Sequence, residues 1–468
     1  MLFSGGSDGA GEGLDISPDF AYAASRMEEA TEPIFVTGRA GTGKSTLLEY
    51  WRRKTSQRVA VLAPTGVAAL NVGGVTIHSF FGFKPDITVE KARKGGRKRD
   101  LVKILAGIDA IVIDEISMVR ADLMDCIDAS LRKHAGRRHT PFGGKRMIFI
   151  GDLYQLPPVV SRDQEEYVKT RYASPYFFAA DVFREFEPPE RIELGKVYRQ
   201  KDGEFVSLLD AIRAGRATRQ HLEQLNRLVR PQADAAADWI TLTTTNQRAA
   251  LVNEARLGAI SGKEATYPAR VEGAVAERDF PTEHRLALKV GAQVMMVNND
   301  MQDRWVNGTL GHIIDIVHGG GEDDAVRVQL ANGRTVDVLP HAWEVSEWTF
   351  DEEKGEPDTR IVGQFRQYPM KLAWAVTIHK SQGKTFDRVV VDVSGGIFAH
   401  GQLYVALSRC RTFEGMVLRC PVRARDLIVD DRVIRFMQYE PRGPVAARPR
   451  QETFDDIVRV QEQDAWLE

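Results

Sequence analysis

From Ile34 onward the chain repeatedly gathers apolar residues into short runs: IFVTG at 34–38, VAVLA at 59–63, AIVID at 110–114 and MIFIG at 147–151. None of these alternates strictly with polar residues, as expected for a strand covered on both faces, and helical segments lie between them. The stretch from about Ile16 to about Phe186 is therefore predicted to be α/β, with a buried parallel sheet. Charge and glycine break the pattern from Phe83 to Lys103, which predicts a small insertion. A second α/β set opens after Glu190 with WITLTT (239–244) and a helical stretch from Gln247, and it resumes at RVVVDV (388–393). Between these the period drops to two, as in VRVQL and TVDVL, and the Asn332-Gly333 pair between them suits a hairpin turn.

The pattern divides the chain into a Gly-rich tail (1–13), a first α/β domain (14–189) with its insertion at about 83–103, and a second α/β domain from 190–290 and 369–430. A β-barrel-like insertion occupies 291–368, and a tail follows from 431 to 468. The first tail has almost nothing to bury and is expected to be disordered.

A hydrophobic content of 43% in 468 residues can fill several cores. No run approaches the ~18 apolar residues of a membrane span, and the N-terminus lacks a basic-then-apolar signal, so a cytoplasmic protein without a membrane partner is expected. Lys plus Arg (63) nearly balance Asp plus Glu (65), so bulk charge does not argue for a nucleic-acid partner. The densest basic run, Lys91, Arg93, Lys94, Arg97, Lys98 and Arg99, suits a phosphate contact and equally suits a solvated loop. Cys126, Cys410 and Cys420 have neither zinc nor iron–sulfur spacing and are expected to be reduced structural residues.

The strongest chemical signal is GRAGTGKST, from Gly38 through Ala40, Gly41, Thr42, Gly43, Lys44 and Ser45 to Thr46, set between a strand and a helix. Its glycines free backbone N–H groups to wrap phosphates, and the following helix N-terminus favours their charge. Lys44 is expected to neutralise the β- and γ-phosphates and Ser45 to hold Mg²⁺. The strand AIVID delivers Asp114 to the metal and Glu115 to the attacking water. A third strand, MIFIGD, leads to Gln155, whose amide can both donate to a γ-phosphate oxygen and accept from water.

APTGVAALNVGGVTIHSFFGF (63–83), DEISMV (114–119), PFGGKRMIFIGDLYQLPPV (141–159), VYRQ (197–200), LAWAVTIHKSQGKTFDRVVVD (372–392) and LYVALSRC (403–410) resemble, in order and spacing, the motifs of the Pif (petite integration frequency) helicases of superfamily one. The resemblance runs from about Ile34 to about Leu418, and PFGG together with SQGKTFD favours this family over RecD-like helicases. It implies two RecA-like domains, an SH3-like barrel as the β-rich insertion, and 5′-to-3′ ATP-dependent unwinding of DNA by a monomeric motor. The implied cofactors are ATP and Mg²⁺. Implied partners are single-stranded and forked duplex DNA, with G-quadruplex and RNA–DNA hybrid as further substrates. Arg199 and Arg409 take the place of arginine fingers, and Gly383 in SQGKT joins the nucleotide residues. Thr65, Gly66, His78, Ser79, Thr377, His379 and Lys380 match positions along the single-strand track, and Phe80, Phe81 and Trp374 are either base-stacking or core residues.

One departure concerns the base. Many superfamily relatives read adenine with a glutamine upstream of the phosphate loop, but here none precedes Gln57, so weak discrimination among purine triphosphates is expected. The motifs alone do not separate unwinding from a translocase that strips proteins from DNA. A slow phosphate-loop switch is disfavoured by Glu115 and the two candidate fingers.

Overall fold

The structure is a computed structural model and describes residues 15–439 apart from 85, 232–238, 276, 278–279, 320–322 and 353. The tail expected at 1–13, and the part of the second tail beyond 439, lie outside the described residues. Six parallel strands form the first sheet, in the order Val75–Thr76, Val59–Ala63, Ala110–Ile113, Arg146–Ile150, Ile34–Gly38 and Glu190–Leu194. Successive side chains of a strand point to opposite faces, so each apolar run feeds two cores. Ile34 and Val36 meet Phe20, Met27, Leu47 and Trp51 of helices Pro18–Glu29 and Lys44–Lys54. Phe35 and Phe149 meet Met124, Ile127 and Leu131 of helix Ala121–His134 on the other face. Each such burial contributes ~1.5–3 kcal/mol.

The boundaries expected at 190, 291 and 430 differ from the sequence reading. Glu190–Leu194 pairs in parallel with Ile34–Gly38, so the first sheet runs past the expected break at 190. The insertion near 83–103 is helical: Val89–Lys94 covers Cys126 and Ala129, and Arg99–Gly107 sends Leu101, Ile104 and Leu105 into the first core. Local bonds already occupy part of its basic run, with Lys91 paired to Asp86 and the Lys98 amine donating to Phe81 and Gly82 carbonyls. The segment after 430 begins as helix Asp431–Gln438, which docks Val433, Phe436 and Met437 on the first core, the Phe436 ring stacking on Phe178 at 4.2 Å.

The second sheet is parallel and four-stranded, in the order Ala375–Thr377, Ile240–Thr243, Val389–Asp392 and Met416–Leu418. The β-rich region starts earlier than the expected 291, at strand Ala265–Pro268, and ends at Met370–Leu372. Its main sheet is antiparallel and five-stranded, and Gly333 takes the left-handed turn conformation (φ 82°) between Ala325–Leu330 and Thr335–Val338. Among the described residues no pairing joins the two edge strands of this sheet. A long hairpin, His341–Asp351 with Glu356–Gln367, reaches back to the first half of the chain. There Trp348 meets Phe80 edge-on at 6.0 Å, and Lys103 pairs with Glu352.

Candidate active site

The two α/β halves meet at a cleft of about 690 Å³. Its walls include Ala40, Gly41, Gly43, Lys44, Ser45, Thr46, Glu115 and Gln155 from one half, and Gly383 and Arg409 from the other, with Arg199 on the connection between them. Gly38, Thr42 and Asp114 are not in this wall. Thr42 is buried with its hydroxyl donating to the Arg39 carbonyl, and Asp114 is buried at the end of its strand.

The phosphate loop needs glycine at 41 for two reasons. Its φ is 82°, a left-handed conformation, and a Cβ there would lie 2.4 Å from the Cβ of Arg199. This close approach, with Tyr198 N–H donating to the Gly41 carbonyl (2.8 Å), lays the arginine directly on the loop. The Lys44 amine donates to the carbonyls of Gly38 (2.7 Å) and Arg39 (3.0 Å). Burial lowers its pKa, while Asp152, Glu115 and Asp114 favour its charge.

Burial pushes both acids of the DE pair upward, and their mutual repulsion adds to this at Asp114. At Glu115 the opposing forces are Lys44, Arg409 and a hydrogen bond from the Gln382 amide (3.0 Å) across the cleft. Glu115 sits at φ 49°, a left-handed conformation costing a non-glycine residue ~1–2 kcal/mol, which turns the side chain off the strand direction. A half-buried carboxylate held in this way at the cleft wall suits a general base. Ser45 and Asp114 offer hard oxygen donors, and two adjacent carboxyls, Asp114 buried and Glu115 half-buried, call for more positive charge than Lys44 supplies. This donor set fits Mg²⁺.

Arg409 is 1% exposed. Its guanidinium donates to the carbonyls of Val405 (2.9 Å) and Lys384 (3.2 Å) and to the Ser408 hydroxyl (2.9 Å), so its direction is fixed by its own half. Burial, with Arg199 beside it, pushes its pKa down to about 9. Two neighbouring guanidiniums whose charges repel each other, Arg409 buried and Arg199 half-buried, form a site for an anion.

Other contacts cross the cleft through residues that the sequence reading gave no role. Asp152 is buried and accepts from Arg213 (3.0 Å), of helix Gly203–Arg213, and from the Gln155 amide (3.2 Å). Arg213 also lies over the Tyr154 ring at 4.3 Å, and Arg39 pairs with Asp210 of the same helix at 2.8 Å. The Tyr404 hydroxyl accepts from Ala40 N–H (2.9 Å), inside the phosphate loop. His400 accepts the Asp430 N–H at Nδ1, so Nε2 carries the proton that it donates to the Leu153 carbonyl (2.8 Å). Tyr404 and Gln382 stand inside the quoted motifs, whereas Arg213 is an isolated arginine in a helix and offered nothing to find.

The seven residues expected along the strand track lie at the ends of sheet strands or in the loops, short helices and turns that follow them. Thr65 caps helix Gly66–Asn71 by accepting from Ala68 N–H (3.2 Å), and Thr377 caps the turn His379–Ser381 by accepting from Lys380 N–H (3.2 Å). His78 and Ser79 lie in the short helix Ile77–Phe81. Asn307 ties the two regions together, its amide donating to Asn71 (2.9 Å) and its carbonyl oxygen accepting from Lys384. Phe80, Phe81 and Trp374 are buried in the cores, which removes them as base-stacking residues.

Comparison with known proteins bears on this geometry. Residues 20–223 match the PIF1-like helicase family, and 277–316 match the 2B domain of DNA helicase Pif1. The chain is 33% identical to ATP-dependent DNA helicase Pif1 of Bdellovibrio bacteriovorus over 91% of its length and 93% of that protein. It is 34% identical to human ATP-dependent DNA helicase PIF1, over 91% of this chain and 66% of the longer human one. A crystal structure of Bacteroides sp Pif1 with ADP-AlF4 superposes with a TM-score of 0.81 at 34% identity, covering 91% of this chain and 97% of that one. For Bacteroides Pif1 bound to single-stranded DNA, with the same identity and coverage, the TM-score is 0.67.

Proposed function

The chain belongs to the PIF1-like helicase family, and on that premise we propose that it is an ATP-dependent DNA helicase moving 5′-to-3′ along single-stranded DNA. The observation that carries this reading is the composition of the cleft: Lys44 and Glu115 come from one half, Arg409 from the other, and all three line one cavity. A triphosphate gripped there holds the halves together, and its cleavage removes the charge on which the guanidiniums close. Glu115 takes the proton of the attacking water, Gln155 orients that water, and Arg199 with Arg409 stabilises charge on the transferred phosphoryl group. Ser45 and Asp114 would hold Mg²⁺, which when bound offsets phosphate charge. Gly38, Ala40, Gly41, Thr42, Gly43 and Thr46 complete the phosphate cradle, with Gly383 closing it from the second half.

Each cycle changes the separation of the halves while Thr65, Gly66, His78 and Ser79 on one side and Thr377, His379 and Lys380 on the other hold the strand by its phosphates. The lower superposition score with the DNA-bound relative supports a rearrangement of the chain on DNA. The reading extends to a monomeric motor in the cytoplasm acting on forked duplex, with G-quadruplex as a further substrate. No helix among the described residues is long and apolar enough to cross a membrane. A forked duplex with a 5′ tail, run beside streptavidin displacement from a 3′-biotinylated single strand, tests the function. Unwinding with displacement supports the helicase, and displacement without unwinding reduces it to a translocase.

A further inference from the structure

Phe398 is the one phenylalanine among the described residues that is exposed, at 61%. Its loop is ordered: Phe398 N–H donates to the Gln402 side chain (3.1 Å), Gly401 N–H donates to the Ile428 carbonyl (3.1 Å), and the neighbouring Ile397 packs against the second core. With Ile397 turned inward, the next side chain is directed out. Its ring lies nearly parallel to the imidazole of His379, with an interplanar angle of 15° and 6.5 Å between centroids. Two rings in direct stacking are ~3.4 Å apart, the rise per base along a strand, so a separation near 6.8 Å brackets one flat base. The loop then runs directly into His400, Gly401 and Tyr404, which touch Leu153, Tyr154 and the phosphate loop, and on to Arg409.

We propose that Phe398 and His379 form a ring clamp that takes one unpaired base of the translocating strand. The clamp rests on the reading of the 377–380 turn as a strand contact and adds a contact to the base itself. Aromatic stacking is tolerant of sequence because every base has a π-face, so the clamp grips without selecting. It also joins base occupancy to the same twelve-residue stretch that carries Arg409.

The test is fluorescence anisotropy of the full chain with labelled oligo-dT, intact or carrying a single abasic site moved stepwise through the footprint. Phe398→Ala is expected to weaken binding ~5- to 150-fold, the range of one lost base–aromatic stack, and Phe398→Tyr to stay within about threefold of wild type. Wild type is expected to lose affinity at one abasic position, and Phe398→Ala to lose none there. Equal affinity of Phe398→Ala and wild type, or wild-type binding that ignores the abasic site at every position, overturns the clamp. Lys380→Ala separates the two readings. If it weakens binding while Phe398→Ala does not, the strand contact stands and the clamp falls; if neither does, both fall.

Discussion

Replacing Arg213 with Met keeps an unbranched stem over Tyr154 and deletes the guanidinium that bonds Asp152 across the cleft. Asp152 has a fully buried side chain, so the change strands a carboxylate in a low-dielectric cleft. Removing one partner of a buried pair costs ~3–5 kcal/mol. Here the Tyr154 N–H (3.2 Å) and the Gln155 amide still donate to Asp152, which places the expected loss near the lower end, ~3 kcal/mol. Asp152→Asn keeps an acceptor for Arg213 but removes its buried counter-charge, leaving Glu193, at 3.6 Å, as the paired carboxylate, and is expected to cost ~2 kcal/mol. Because the two groups share one bond, the double variant should be milder than the sum by ~2 kcal/mol. Urea unfolding of the four proteins, read at the first transition, measures the cycle. A pH series adds a sign. Burial alone would raise the Asp152 pKa, but Arg213 and Lys44 outweigh it and hold the carboxyl below its usual value. Its stabilisation is therefore present above the unfolded pKa of ~3.9 and lost as pH falls through the folded value. In Arg213→Met burial has less opposition, so acid destabilisation should begin at higher pH. Additive single effects, or an Arg213→Met loss below ~0.5 kcal/mol, would refute a cross-cleft latch.

Three further outcomes follow from the same geometry. Lys44→Ala should abolish ATP turnover and weaken nucleotide binding, whereas Glu115→Gln should bind ATP and fail to hydrolyse it; filter binding beside phosphate release checks both. Burial and the charge of Lys371 push Lys384 down to about 7. An unfolded lysine titrates near ~10.4, so between these values the unfolded chain holds more protons and stability rises with pH. Lys384→Met should flatten the rise of the thermal midpoint between pH 7 and ~10, and an unchanged slope would count against it. The cleft offers Phe20, Tyr198 and Asp15 beyond the phosphate loop and no glutamine upstream of it, so kcat/KM for ATP and GTP should agree within about tenfold; a strict ATP preference would contradict this.

The lining of the cleft was legible because each residue follows a buried strand: Lys44, Glu115 and Gln155 come after apolar runs whose burial fixes where the chain emerges. Contacts between the halves were less so. The Asp152–Arg213 bond joins residues 61 positions apart, and nothing in the periodicity of helix Gly203–Arg213 marks one arginine as buried. Phe80, Phe81 and Trp374 could not be placed from spacing, since an aromatic next to a motif reads alike whether it faces a core or solvent. The break expected at 190 failed because ERIEL is half-polar, the ordinary look of an edge strand with one exposed side.

The most direct measurement takes Arg409→Ala, removing a cation of the second half that lines the same cleft as Lys44 of the first. Affinity for a fluorescent ATP analogue should stay within about threefold of wild type, while turnover stimulated by single-stranded DNA falls ~10³-fold. Turnover within tenfold of wild type would contradict hydrolysis shared between the two halves.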